Sequence, residues 1–176
     1  MLFRNFIRKE EADDYLSQGK ALHWKKATTV DTSDKYQSKR VVEDVSVLNY
    51  FPELIRKVYD TVAPINARTN KFDIDSIKEM NMLKYGIGGK YDWHQDVIYR
   101  HPKERKFTFI IQLSDSNEYE GGDLEFYENN LGHDPDECRE KGSMVVFSSF
   151  LYHRITPLTK GNRYSIVGWV FGPPWK

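Results

Sequence analysis

YGIGGKYDWHQD, residues 85–96, holds a tyrosine, three glycines, a short aromatic run and then His94 and Asp96 with one residue between them. That spacing points to an extended backbone. On a strand the side chains alternate, so positions two apart share a face and His94 and Asp96 can approach one ion together. A helix would need a spacing of three or four for the same cooperation. The pair alone means little, because a chain with five histidines and 26 acidic residues offers His-x-Asp by chance with ease. What surrounds it decides.

Outward from this stretch the pattern is that of a sheet. From about residue 72 the chain consists of short runs rich in aromatic and β-branched residues separated by turns. Strands are expected at 79–85, 91–95, 106–114, 123–128, 143–148, 153–157 and 163–171. KGN at 160–162 reads as a hairpin turn joining the last two. Before them, KEEADDYLSQG at 9–19 suits a short surface helix, with acidic residues early and a glycine late. FPELIRKVYDTV has apolar residues at 51, 54, 55, 58, 59 and 62, a stripe of helical period, and Pro64 is expected to end that helix. The polar stretch 26–46 lacks sustained periodicity and reads as a loop or lid. Many short strands after two helices indicate a mainly β fold with N-terminal helices, a sandwich or barrel with the helices on one side.

Composition limits the function classes. At 176 residues the chain suits one domain, with helical support over 1–70 and a β core over about 79–171. It is 39% hydrophobic and 14% aromatic, as a folded β-rich chain requires. Lysine plus arginine equals aspartate plus glutamate at 26 each, so no global charge draws it to nucleic acid or anionic lipid. Charges at Arg4, Arg8, Lys9, Glu10 and Glu11 interrupt any signal-peptide core, and no apolar run reaches membrane-spanning length. Cys138 is the only cysteine, which excludes an internal disulfide and a thiolate zinc cluster. A reducing, cytoplasmic setting is therefore expected, with no membrane or nucleic-acid partner. The GIGG loop lacks the Gly-Lys-Ser/Thr or Rossmann context of a phosphate cradle, and His133-Asp134-Pro135-Asp136 reads as a solvated turn.

Two ligands leave a divalent ion under-coordinated, so His94 and Asp96 need a third from a distant strand, and His153 in FSSFLYHRITP is the candidate. Two imidazoles and a carboxylate leave coordination positions open and suit Fe(II) oxygen chemistry, although zinc accepts such ligands too. Ten residues beyond His153, Arg163 opens the next strand with Ser165 on its face by alternation. An arginine fork plus a hydroxyl is a fitting receptor for a carboxylate.

These residues resemble those of the Fe(II)- and 2-oxoglutarate-dependent dioxygenases, within them the prolyl 4-hydroxylase-like group. The resemblance covers residues 79–171. Its ordered elements are Tyr85-Gly86 through His94-Gln95-Asp96, Phe107-Thr108-Phe109-Ile110-Ile111-Gln112-Leu113-Ser114, Gly121-Gly122-Asp123-Leu124-Glu125-Phe126, Lys141-Gly142-Ser143 with Phe147, His153, and Asn162 through Trp169.

The resemblance implies a double-stranded β-helix, or jelly roll, holding iron through His94, Asp96 and His153. It implies that 2-oxoglutarate chelates the iron and sets its distal carboxylate on Arg163, with Tyr85 hydrogen-bonded to the same group. Gln112 stands where relatives often have another tyrosine, Ser165 lies beside Arg163, and Leu124 would form a pocket wall. Dioxygen is the second cosubstrate and ascorbate an accessory reductant. The implied reaction is hydroxylation of a C–H bond with release of succinate and CO2, foremost on a peptidyl proline. A free amino acid or other small metabolite is the alternative substrate, and a noncatalytic jelly-roll binding protein with a vestigial site the alternative class. Trp169 occupies a position that prolyl hydroxylases keep near substrate, and Tyr99, Arg100, Arg105, Tyr152 and Arg154 are candidates for the substrate rim. Trp93, Tyr91 and Phe147 read as packing.

Overall fold

The computed structural model of the chain describes residues 1–27, 40–97, 102–127 and 138–175. In chain order these residues form β1 (Leu2–Phe3), α1 (Lys9–Lys20), β2 (Lys25–Lys26), β3 (Arg40–Val41), β4 (Glu43–Ser46), α2 (Pro52–Arg68), β5 (Ser76–Tyr85) and β6 (Lys90–His94). There follow β7 (Glu104–Gln112), β8 (Tyr119–Gly121), β9 (Leu124–Phe126), β10 (Met144–Ser148), β11 (His153–Ile155), β12 (Leu158–Gly161) and β13 (Arg163–Gly172). Seven strands make the larger sheet in the order β1-β10-β7-β13-β5-β4-β2, four make a second, β3-β6-β11-β9, and β12 pairs with β8. All pairings are antiparallel. With the helices against one face of the larger sheet and the smaller sheet against the other, this is the expected jelly roll.

The period of two along the central strands sorts side chains between these layers. On β13, Ile166 and Val170 join Met80 and Met82 of β5 and Phe107, Phe109 and Ile111 of β7 beneath the helices. The intervening Val167, Trp169 and Phe171 face the other way, with Leu83, Tyr85, Ile110, Phe147 and Ile155 between the sheets. Alternation therefore puts Arg163 and Ser165 on the inter-sheet side, along with Thr108 and Gln112 of β7. Gly168 faces Phe109 across the β13–β7 ladder, and a Cβ there would lie 2.3 Å from the Phe109 ring. The glycine is what lets that ring lie flat on the sheet. In α2, Leu54, Val58 and Val62 are fully buried on the core side, each contributing about 1.5–3 kcal/mol of transfer free energy.

The structure departs from the sequence reading at several points. Pro64 lies inside α2 and does not end it. The helix continues because Val62 and Asn66 lie on its buried face and the Asn66 side chain clamps the following turn, accepting from Phe72 N at 2.9 Å and donating to Phe72 O at 2.8 Å. Residues 43–46 form a strand between β5 and β2, with Asp44 and Val45 buried, and 40–41 form another. The region 1–70 is thus more than helical support, since it lends strands to both sheets. The part of the proposed lid over 28–39 lies outside the described residues, as does His133-Asp134-Pro135-Asp136. KGN does not close a hairpin: β12 pairs with β8 while β13 pairs with β5 and β7, so Asn162 is a crossing between sheets. Strands β8 and β12 were hidden by shortness and by the glycines within them. Among the described residues no helix is long and apolar enough to cross a membrane.

Candidate active site

Strand pairing brings the three candidate ligands together. His153, the first residue of β11, is in register with His94, the last of β6. Asp96 lies two residues beyond the end of β6, so strand alternation does not place it. Its N–H donates to the Ser149 carbonyl at 2.9 Å, a tie from the segment after β10. One ligand atom from each of His94, Asp96 and His153 lies within 4.8 Å of the others, close to the spread that one ion with bonds of about 2.0–2.2 Å can bridge. The Nε2 atoms of His94 and His153 each stand 3.5 Å from a different oxygen of Asp96.

The imidazoles are oriented so that Nε2 could ligate a metal. His94 Nδ1 lies 2.7 Å from the Asp92 carbonyl, and His153 Nδ1 lies 2.9 Å from the Leu151 carbonyl. A carbonyl only accepts, so each Nδ1 carries the hydrogen and each Nε2 keeps its lone pair. Tyr91 stacks on His94 with ring centroids 3.5 Å apart and planes within 15°, and Phe147 meets the His153 ring edge-on at 4.7 Å. These aromatics, read as packing from the sequence, also fix the ligand rings.

Electrostatics match the same role. Burial pushes the His153 imidazole down to about 4, against the opposing pull of Asp96. Burial alone would raise the Asp96 carboxyl, but positive charge on His153 and His94 once these are protonated, together with the Arg105 guanidinium, holds it far below the ordinary carboxylate range. At pH 7 the centre therefore offers a neutral imidazole and an ionised carboxylate, which a metal can take without displacing a proton. In the metal-free protein the His153 value in the fold lies below its unfolded value of 6.5. The unfolded chain binds the proton more readily, so this contribution to stability is complete above about pH 6.5 and is lost as pH falls towards 4. Urea unfolding of metal-free protein is expected to show a loss on the order of 3 kcal/mol across that interval. A midpoint unchanged between pH 7 and pH 4 would contradict the assignment.

Beside this cluster lies a cavity lined by Tyr85, Arg163, Ser165 and Trp169 as well as the three ligands. Arg163 is 4% exposed and Ser165 1%. No carboxylate among the described residues pairs with Arg163; its guanidinium lies 5.5 Å from the Tyr85 ring, in register across the β13–β5 ladder. Ser165 Oγ is buried with no hydrogen-bond partner. A buried arginine and an unsatisfied hydroxyl are costly unless an anion completes them, so the pair has the character of a carboxylate receptor. Burial raises the Tyr85 phenol, which stays protonated and able to donate. Gly122 allows Arg163 its position: it has φ +66°, and a Cβ there would lie 3.2 Å from Arg163 Cδ and 2.7 Å from Leu158 Cδ1.

Of the other candidates that the structure describes, Trp169 lines this cavity and the rest do not. Gln112 is in register with Ser165, donates to Tyr119 OH at 3.0 Å and leaves its own buried Oε1 unpartnered. Leu124 does not line the cavity but packs in the inter-sheet core opposite Ile155. Arg105 stacks on Trp169 at 3.6 Å and pairs with Glu79, and Trp169 Nε1 is buried without a partner. Arg154 is paired with Glu125 over Trp93, and Tyr152 is half-exposed, so neither lines the cavity. Tyr99 and Arg100 lie outside the described residues. Sequence reasoning did not single out Arg40, which lines the same cavity and lies over Tyr91, or Thr108 and Ser149, which touch Asp96 or its tie.

With this geometry in view, a family model described as the 2OG-Fe(II) oxygenase superfamily matches residues 80–171, more than half of the chain. The chain belongs to the 2OG-Fe(II) oxygenase superfamily. The family uses Fe(II), 2-oxoglutarate and dioxygen, and the two histidines and the aspartate fit iron binding. A PKHD-type hydroxylase of Synechococcus sp. (strain CC9605) is 37% identical over 98 residues, 55% of this chain and 43% of that protein. The chain thus matches less than half the length of such curated relatives. A Pseudomonas putida prolyl-4-hydroxylase superposes with TM-score 0.75 at 16% identity over 99% of this chain and 92% of that one. A Trichoplax adhaerens prolyl hydroxylase, solved with a hypoxia inducible factor peptide fragment, gives 0.78 at 18% identity over 98% and 83%. At such identities these two likenesses speak for the fold.

Proposed function

We propose that the protein is an Fe(II)- and 2-oxoglutarate-dependent hydroxylase, with a proline in a peptide as its leading substrate. The observation that carries the reading is the convergence of His94, Asp96 and His153 beside a buried Arg163 that pairs with no carboxylate among the described residues and a buried Ser165 hydroxyl. In this reading His94 and His153 ligate through Nε2 and Asp96 through its carboxylate, while Arg163, Ser165 and the Tyr85 hydroxyl hold the distal carboxylate of 2-oxoglutarate. Iron, once bound with 2-oxoglutarate and dioxygen, supplies oxidative decarboxylation to succinate and CO2 coupled to insertion of one oxygen atom into a C–H bond. The inter-sheet core keeps water from the receptor. Trp169, at the other end of the inward row of β13, and Arg105 of β7, stacked on it, would face the substrate side. The prolyl preference takes its support from the family membership and from the prolyl hydroxylases that share the fold.

A succinate-release assay over proline-rich peptides, free proline and other amino acids tests this. Release should be greatest with a peptide, and mass spectrometry should find one added oxygen on its proline. Stimulation by a free amino acid alone would move the substrate to small metabolites, and no 2-oxoglutarate turnover with any of them would overturn the enzyme reading.

A further inference from the structure

Asp96 is held by groups that are not themselves metal ligands. Thr108, on β7 and 0% exposed, donates from Oγ1 to Asp96 Oδ2 at 2.8 Å. Thr108 Oγ1 lies 3.1 Å from the hydroxyl of Ser149, also 0% exposed. Ser149 is anchored on both sides of its backbone, its N–H donating to the Lys106 carbonyl at 3.0 Å and its carbonyl accepting from Asp96 N. Chemistry fixes the direction of this chain. An ionised carboxylate only accepts, so Thr108 gives its one hydrogen to Oδ2 and its oxygen is left to accept from Ser149. Hydroxyls linked in this way polarise one another, and both side chains are fully buried.

We propose that Thr108, backed by Ser149, is a positioning residue that engages Oδ2 so that Asp96 presents Oδ1 alone to the metal. This rests on the reading of the cluster as an iron centre. A carboxylate bound through one oxygen keeps a coordination position that two-oxygen binding would take. Three protein donors then leave room for a bidentate oxoacid and for dioxygen. Without the Thr108 hydrogen bond, Oδ2 is a buried acceptor whose nearest counterpart is the His153 ring, and the carboxylate is free to rotate.

The test is anaerobic titration of Fe(II), and separately of Mn(II), followed by tryptophan fluorescence, on the parent chain, Thr108→Val, Thr108→Ser and Ser149→Ala. Thr108→Val keeps the volume and removes the donor, and its metal dissociation constant should rise 10–100-fold, the range usual for lost outer-shell partners. Thr108→Ser keeps the hydroxyl and should stay within about threefold of the parent, by the same logic. Ser149→Ala should fall between them, and it carries the test if Thr108→Val does not fold. Parent-like affinity in Thr108→Val overturns the inference, as does a Thr108→Ser as impaired as the valine; parent-like affinity in Ser149→Ala overturns it where the valine is unfolded. In each of these cases tight binding by the parent leaves the iron reading standing. A parent that binds neither ion overturns both.

Discussion

Asp96→Ala is expected to abolish the visible charge-transfer band that the parent develops with Fe(II) and 2-oxoglutarate under anaerobic conditions, and with it all succinate release. The effect is the largest expected because the Asp96 side chain combines two functions. It is the only carboxylate of the described donor cluster and the bridge between the two imidazoles, whereas the N–H that ties the chain after β6 to Ser149 is kept in the alanine variant. Removing the side chain leaves two imidazoles, their rings 4.2 Å apart, to hold a divalent ion with no carboxylate of the cluster to balance its charge. Metal affinity should fall by at least 10³-fold, roughly the 4 kcal/mol expected when a charged partner is removed from a buried ionic site. His94→Ala should likewise lose the band. An Asp96→Ala protein that retains both band and turnover would show that another carboxylate does this work.

Arg163→Ala should show the complementary phenotype: Fe(II) still binds, while the dissociation constant for 2-oxoglutarate rises by about 10²–10³-fold, the range for losing one partner of a buried, hydrogen-bonded charge pair. The separation of the two effects follows from the architecture. Arg163 sits at the start of β13 against Tyr85 and Gly122, and none of its described contacts is to a metal ligand. Lysine at this position keeps the charge but not the planar fork, and so should recover part of the affinity. If iron and 2-oxoglutarate binding fall together in Arg163→Ala, the arginine supports the fold and is not the receptor.

What could be read from the sequence was whatever depended on residue type and short-range alternation. His94 and His153 stand out because few side chains ligate metals. Arg163 and Ser165 share a face because β13 runs in unbroken register from Arg163 to Trp169, its shifts lying beyond. The placement of Asp96 was anticipated for an incomplete reason, since the residue lies beyond β6 and a backbone tie to Ser149 directs it. Thr108 and Ser149 carry no mark in sequence, because a hydroxyl in a core strand looks like any strand residue until a carboxylate is seen 2.8 Å away. Strand β4 was lost because Glu43 and Asp44 look like loop, although Asp44 is buried. Pro64 marks a helix end by residue type, but the buried face of α2 carries the helix past it to Arg68.

One strand carries both ends of the proposed chemistry. Arg163, Ser165, Val167 and Trp169 are successive inward positions of β13, which is hydrogen-bonded on one side to β5 and on the other to β7. At about 3.4 Å per residue the strand acts as a fixed ruler, setting the anchor of one reactant and the wall for the other some 20 Å apart along the backbone. A slip of one residue would turn every inward group outward, and two flanking ladders forbid it. If Arg163 and Trp169 play the roles proposed for them, the spacing between the two reactants is set by the strand. A change of substrate would then fall on side chains at the Trp169 end or on loops that β13 does not carry.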